Sequence, residues 1–187
     1  MGQGEALAEV CDGFARQPVV ASALEATAGK GVALSSSEAE PERVVNDLKA
    51  AGRAPQSGKS RMKGIPFCTL ESAKDGKNVL SITFREALAI PRGQANTDGI
   101  TSYGTGARAT SSDSYASIYF ACRMEPPAHE IVVAAELERA DENEADHEGL
   151  RDDQMTLANA AARRVADALG CQDPRLAVGA PARGGSS

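Results

Sequence analysis

Apolar residues recur at helical spacing in the opening stretch EALAEVCDGFARQPVVASALEATAGKG. Leu7, Val10, Cys11 and Phe14 fall at i, i+3, i+4 and i+7, one face of a helix. Pro18 bends or restarts the run, Val20, Leu24 and Ala28 carry it on, and Gly29 and Gly31 end it. A second helix is expected next. Ser37 is placed as its N-cap with Glu40 three residues on, Pro41 falls in the first turn, Val44, Val45 and Leu48 form a short apolar stripe, and Gly52 stops it. The basic, Pro- and Gly-punctuated stretch 53–64 reads as an exposed loop.

From residue 65 the period changes to two. IPFCTLES and NVLSITFREALA flank Asp75-Gly76, a hairpin signal. SYASIYFACRM and HEIVVAAELER read as two further strands, joined across Pro126-Pro127. The Gly-, Ser- and Thr-rich segment 91–113 separates the two pairs, with a short edge strand expected near GARATSS. Helical spacing returns in DQMTLANAAARRVADALG. Ala158, Ala161, Ala162, Val165 and Leu169 share a face there, and Gly170 suits the position after the last turn.

These elements predict an α+β domain: an antiparallel β-meander of four to five strands, with N-terminal and C-terminal helices packed on one face. One domain over 1–180 and a frayed tail over 181–187 complete the expectation.

Composition narrows the function. The chain has 187 residues and a net charge of −6, against nonspecific nucleic-acid binding. No apolar run reaches the roughly 18 residues a membrane span needs. Aromatic residues are 4% with no Trp, which argues against the usual stacking platforms for sugars and bases.

The four cysteines, Cys11, Cys68, Cys122 and Cys171, fall on four separate elements and all point toward one layer. Two disulfides are expected, and the competing reading is four reduced core cysteines. The favoured pairing is Cys68–Cys122 with Cys11–Cys171; pairing each strand cysteine with a helix cysteine stays open. Zinc is not expected, because no close C-x₂₋₄-C pair exists. Disulfides fit a protein that works outside the cytoplasm. The opening MGQGEA carries no basic and apolar leader, which fits a chain from which an export signal was trimmed.

VCDG on the opening helix, FC on a strand, YGTGARATSSDSYASIYFAC running into a strand and the final ARRVADALGC resemble the small exported proteins and lipoproteins of filamentous actinomycetes (Streptomyces-type). The resemblance covers most of the chain. It implies an extracytoplasmic location, secreted or anchored at the cell surface, and transfers no catalytic residue.

Motifs with chemistry mostly fail. Gly58-Lys59-Ser60 ends like a phosphate loop, but Arg53 stands where the first glycine belongs. The acidic run from Asp141 lacks the glycine and alternating ligands of a calcium loop. His129 and His147 neighbour no nucleophile turn. Glu71, Glu86, Glu136 and Glu138 are strand carboxylates of the kind any sheet carries.

No catalytic residue, metal or cofactor is therefore assigned. The expected function is a noncatalytic extracytoplasmic domain that binds a protein or cell-envelope component. The contact surface is placed on Pro91–Asp113, with Tyr103, Arg108 and the adjacent Tyr115 as anchors. Two alternatives are a thiol-dependent enzyme or redox protein using Cys68 or Cys122, and a small-ligand carrier with a cavity between helices and sheet.

Overall fold

A computed structural model describes residues 4–56, 63–93, 97–140 and 149–184. The chain runs α1 (Val10–Gly13), α2 (Pro18–Ala28), β1 (Leu34–Glu38), α3 (Pro41–Arg53), β2 (Ile65–Ser72), β3 (Asn78–Ala87), β4 (Thr101–Tyr103), β5 (Arg108–Ser111), β6 (Tyr115–Cys122), β7 (Ile131–Arg139) and α4 (Leu150–Leu169). The fold is α+β, with one seven-stranded sheet in the order β1-β2-β3-β7-β6-β5-β4. Every neighbouring pair is antiparallel.

The sheet has more strands than expected and is not one continuous meander. β1–β3 and β4–β7 form two runs, and the last strand, β7, closes onto β3 at the centre. β5 is the short strand expected near GARATSS, but it is interior rather than an edge because β4 pairs outside it; β1 and β4 are additional. β1 covers LSSSE, where Ser37 was expected to cap a helix; α3 instead begins at Pro41 after Glu40. Only Leu34 of this strand is buried, so no alternation announces it. A side chain stabilises it: Glu5 accepts hydrogen bonds from the Ser36 N–H and hydroxyl, each at 3.0 Å.

The opening helix is also broken. Cys11, Asp12 and Gly13 take successive positive φ of 46°, 63° and 75°. That left-handed turn suits Asp-Gly and ends any right-handed helix. A new helix starts at Pro18, whose missing N–H is harmless there.

Strand alternation decides the core. Leu80, Ile82 and Phe84 of β3 are fully buried, as are Val133 and Leu137 of β7 and Ile118 and Phe120 of β6. α3 and α4 pack on this face, and α2 packs on α4. The alanine face of α4 (Ala158, Ala161, Ala162) is 0% exposed, which brings the helix close to the sheet. Phe67 joins the layers, 5.8 Å from the Phe14 ring and 5.5 Å from Phe84.

Two disulfides join Cys11 to Cys68 and Cys122 to Cys171, with Cα–Cα distances of 5.5 and 4.7 Å. The favoured pairing is thus corrected, and the strand-to-helix alternative is the one found. Cys68 on β2 and Cys122 on β6 have β3 and β7 between them. Three inter-strand spacings put them roughly 14 Å apart, beyond the reach of a disulfide.

Chain ends cover both sheet edges. Glu5 bridges Leu34 on β1, and Arg183 bridges Tyr103 on β4. Gly104 N–H donates to the Ala182 carbonyl at 2.9 Å and Gly184 N–H to the Ser102 carbonyl at 3.0 Å. Residues 181–184, expected to fray, thus hydrogen-bond along an edge that would otherwise offer free backbone groups.

Candidate functional site

With every helix on the inner face, the outward positions of β5, β6, β7 and β3 form an open surface. Strand register fixes its pattern. Arg108, Tyr119, Ala134 and Arg85 stand side by side across four strands. The next outward row is Thr110, Ser117, Glu136 and Thr83. Beyond it come Tyr115, Glu138 and Ser81.

The centre of this surface is tied together. Arg85 donates to one Glu136 carboxylate oxygen through Nε at 3.1 Å and Nη2 at 2.9 Å. Nη2 also donates to the Tyr119 hydroxyl at 3.3 Å. The guanidinium lies 5.9 Å from the Tyr119 ring centroid, within cation–π range. To do so it crosses Ala134, which is 0% exposed although it faces outward.

Burial works to lower the Arg85 pKa, but the bond and charge of Glu136 outweigh it and raise the value. Tyr115 is 39% exposed and lies diagonally across from Glu136. Partial burial and then the Glu136 charge push this phenol well above its ordinary value, so it stays protonated.

The residues expected to bind do not all meet here. Arg108 and Tyr115 lie on the open face. Arg108 reaches back to the Pro91 and Gly93 carbonyls at 3.3 and 3.1 Å, tying down the preceding loop. Tyr103 points the other way. It is 1% exposed and donates to Asp152 on α4, so it is a core side chain. The residues that sequence reasoning missed as anchors are Arg85, Tyr119 and Glu136. Alternation in NVLSITFREA and YASIYFAC already sends Arg85 and Tyr119 away from the core, which is the signal that was available. Their contact with one another depends on β7 lying between β3 and β6.

A second feature is an open cleft of about 900 Å³ at one end of the sheet, between α3 and the ends of β2, β3 and β7. Ala50 and Ala51 of α3 and the adjoining Ala54 line one wall, with Glu86, Lys63 and His129 around it. The helix–sheet interface under α4, where alanines pack closely, is a different place.

Gly58–Ser60, Asp141 and His147 lie outside the described residues. All four cysteines are paired, so a thiol nucleophile at Cys68 or Cys122 would first require reduction of a buried bridge. Among the described residues, no three His, Cys, Asp or Glu side chains group to hold a metal. No described helix is long and apolar enough to cross a membrane. Compared with protein families, with curated proteins and with solved structures, the chain finds no match.

Proposed function

We propose that this chain is a noncatalytic extracytoplasmic domain that binds a protein or cell-envelope component through the open face of its sheet. The observation that carries the reading is the Arg85–Glu136–Tyr119 cluster at the centre of the face of the sheet that no helix covers. Arg and Tyr supply much of the energy in recognition surfaces. Here they are held in place before any partner arrives, which lowers the ordering cost of binding. The two disulfides and the resemblance to exported actinomycete proteins support the location.

The test is saturable binding of the oxidised protein to cell-envelope preparations of its source. Tyr119→Ala and Tyr115→Ala are expected to weaken binding by about tenfold or more, with thermal stability little changed. Absence of saturable binding, or binding indifferent to both variants, would defeat the reading.

The cleft beside α3 favours a second reading, a small-ligand carrier, because about 900 Å³ is ample for a small molecule. Projecting an indole into it with Ala50→Trp should then weaken ligand binding, whereas a sheet-face partner would be unaffected.

A further inference from the structure

The open face has a chemistry that narrows its partner. Across β5, β6, β7 and β3 the outward charged side chains are Arg85 and Arg108 against Glu136 and Glu138, a net charge of zero on a chain whose total is −6. A polyanion such as nucleic acid or an acidic lipid surface needs an excess of cations, and none is present here.

A protein interface is expected to bury an apolar centre. The centre of this face is Ala134, 0% exposed beneath Arg85 and Tyr119, and the one aliphatic side chain larger than alanine beside it is the partly exposed Val132. The face offers hydroxyls instead. Ser81 and Thr83 of β3 and Thr110 of β5 are partly exposed there, while Ser117 of β6 faces outward but is only 6% exposed. Thr110 and Ser117 already share a hydrogen bond at 3.4 Å.

Tyr115 and Tyr119 complete the pattern. They lie on the same side of one strand, four residues apart, hence about 13 Å apart along it. Two of the chain's three tyrosines therefore share the open face. The scarcity of aromatics does not remove a stacking platform when those present are concentrated. The C–H face of a pyranose ring packs on an aromatic ring, whose face is electron-rich. Neighbouring carboxylate, guanidinium and hydroxyl groups then accept and donate to the sugar hydroxyls.

We propose that the open face binds an uncharged polysaccharide chain lying across Tyr115 and Tyr119, with Arg85 and Glu136 addressing its hydroxyls. This rests on the reading that the open face is the binding surface.

The experiment titrates the oxidised protein with chitotetraose, cellotetraose and mannotetraose, and with heparin as a polyanion. With no Trp present, tyrosine fluorescence reports directly on the three tyrosines. At least one neutral tetrasaccharide is expected to saturate with a dissociation constant of about 1 mM or below. Tyr119→Ala and Tyr115→Ala should weaken it about tenfold, while Tyr119→Phe, which keeps the ring, should stay within about threefold.

No saturation by any neutral sugar up to about 10 mM overturns the proposal. So does preferential binding of heparin, or self-association of the protein through this face in sedimentation. If envelope binding persists and depends on Tyr119 while neither neutral sugars nor insoluble glycan compete, the glycan assignment falls and the face remains a protein-binding surface. If envelope binding ignores both tyrosines, the face itself is the error.

Discussion

The Tyr103 hydroxyl donates to an Asp152 carboxylate oxygen at 2.6 Å, and that contact fastens the far edge of the sheet to the first turn of α4. Arg183 Nε donates to the same oxygen at 2.7 Å, so the C-terminal segment is held at the same point. Burial tends to raise the Asp152 pKa, but the bonds from Arg183 and Tyr103 outweigh it and lower the value. A carboxylate with a depressed folded pKa stabilises fully above its unfolded value near 4, and that contribution is lost as pH falls through the folded pKa. Tyr103→Phe should cost about 1–2 kcal/mol at neutral pH, and less once Asp152 is protonated. Denaturant unfolding at pH 7 and pH 2.5 checks this. An equal loss at both would remove the carboxylate from the account.

The disulfides enclose separations of 57 and 49 residues. On the chain-entropy account each bridge stabilises by about 4 kcal/mol, less any strain. Peptide mapping of unreduced protein is expected to recover Cys11 with Cys68 and Cys122 with Cys171, and no free thiol. Replacing either pair by serine should lower the unfolding midpoint while leaving the other bridge intact. A fragment joining Cys68 to Cys122 would contradict the strand order as well as the pairing.

Much of this architecture was legible in the pattern of the chain. β3, β6, β7 and α4 each carry a sustained period of apolar residues, and β2 carries one on either side of the irregularity at Phe67-Cys68, because each is buried along most of its length. β1 and β4 carry almost none. One is stabilised by the Glu5 side chain and the other by the C-terminal segment, and both partners are remote in sequence. The cysteines were readable as facing one layer, but pairing needed the strand order, which no local period encodes. The left-handed turn at Cys11 also carries that residue toward β2 rather than along a helix. Tyr115 was found from its type. Tyr119 and Arg85 were readable as outward-facing, yet they become a site only when β7 is placed between their strands.

Gly106 tests the support under the open face. It sits at φ 59° in the turn between β4 and β5, and a Cβ there would come within 2.7 Å of the Tyr119 carbonyl oxygen. Its N–H donates to the Arg175 carbonyl at 2.9 Å. Backbone does not yield as a flexible side chain does, so Gly106→Ala combines a conformational penalty with a clash. A loss of about 2–3 kcal/mol is expected. Gly31, at φ 77° with open space around it, is the control; Gly31→Ala should cost about 1 kcal/mol. Equal losses in thermal unfolding would show that the contact with Tyr119 contributes nothing.

His129 places both ring nitrogens against carbonyls. Nε2 is 2.8 Å from the Ala54 oxygen at the end of α3, and Nδ1 is 3.1 Å from the Glu130 oxygen. Its own N–H donates to Gly52 at 2.8 Å, so the residue clasps α3 to the start of β7 beside the cleft. A neutral imidazole has one N–H and can serve one carbonyl, while Nδ1 accepts from Gln56 at 3.3 Å. An imidazolium donates to both. The Glu130 and Ala54 carbonyls, with a smaller contribution from Glu86, raise the pKa against a slight opposing effect of burial. A raised folded pKa contributes stability that is fully present below the unfolded value near 6.5 and is lost as pH rises through the folded one. Hydrogen exchange of the last turn of α3 should therefore be slower at pH 5.5 than at pH 8, after correction for intrinsic rates, and His129→Gln should remove the difference. An NMR titration of the ring checks the premise directly. A His129 midpoint at or below the ordinary value would mean that the ring is held neutral, with Gln56 rather than the Glu130 carbonyl as the partner of Nδ1.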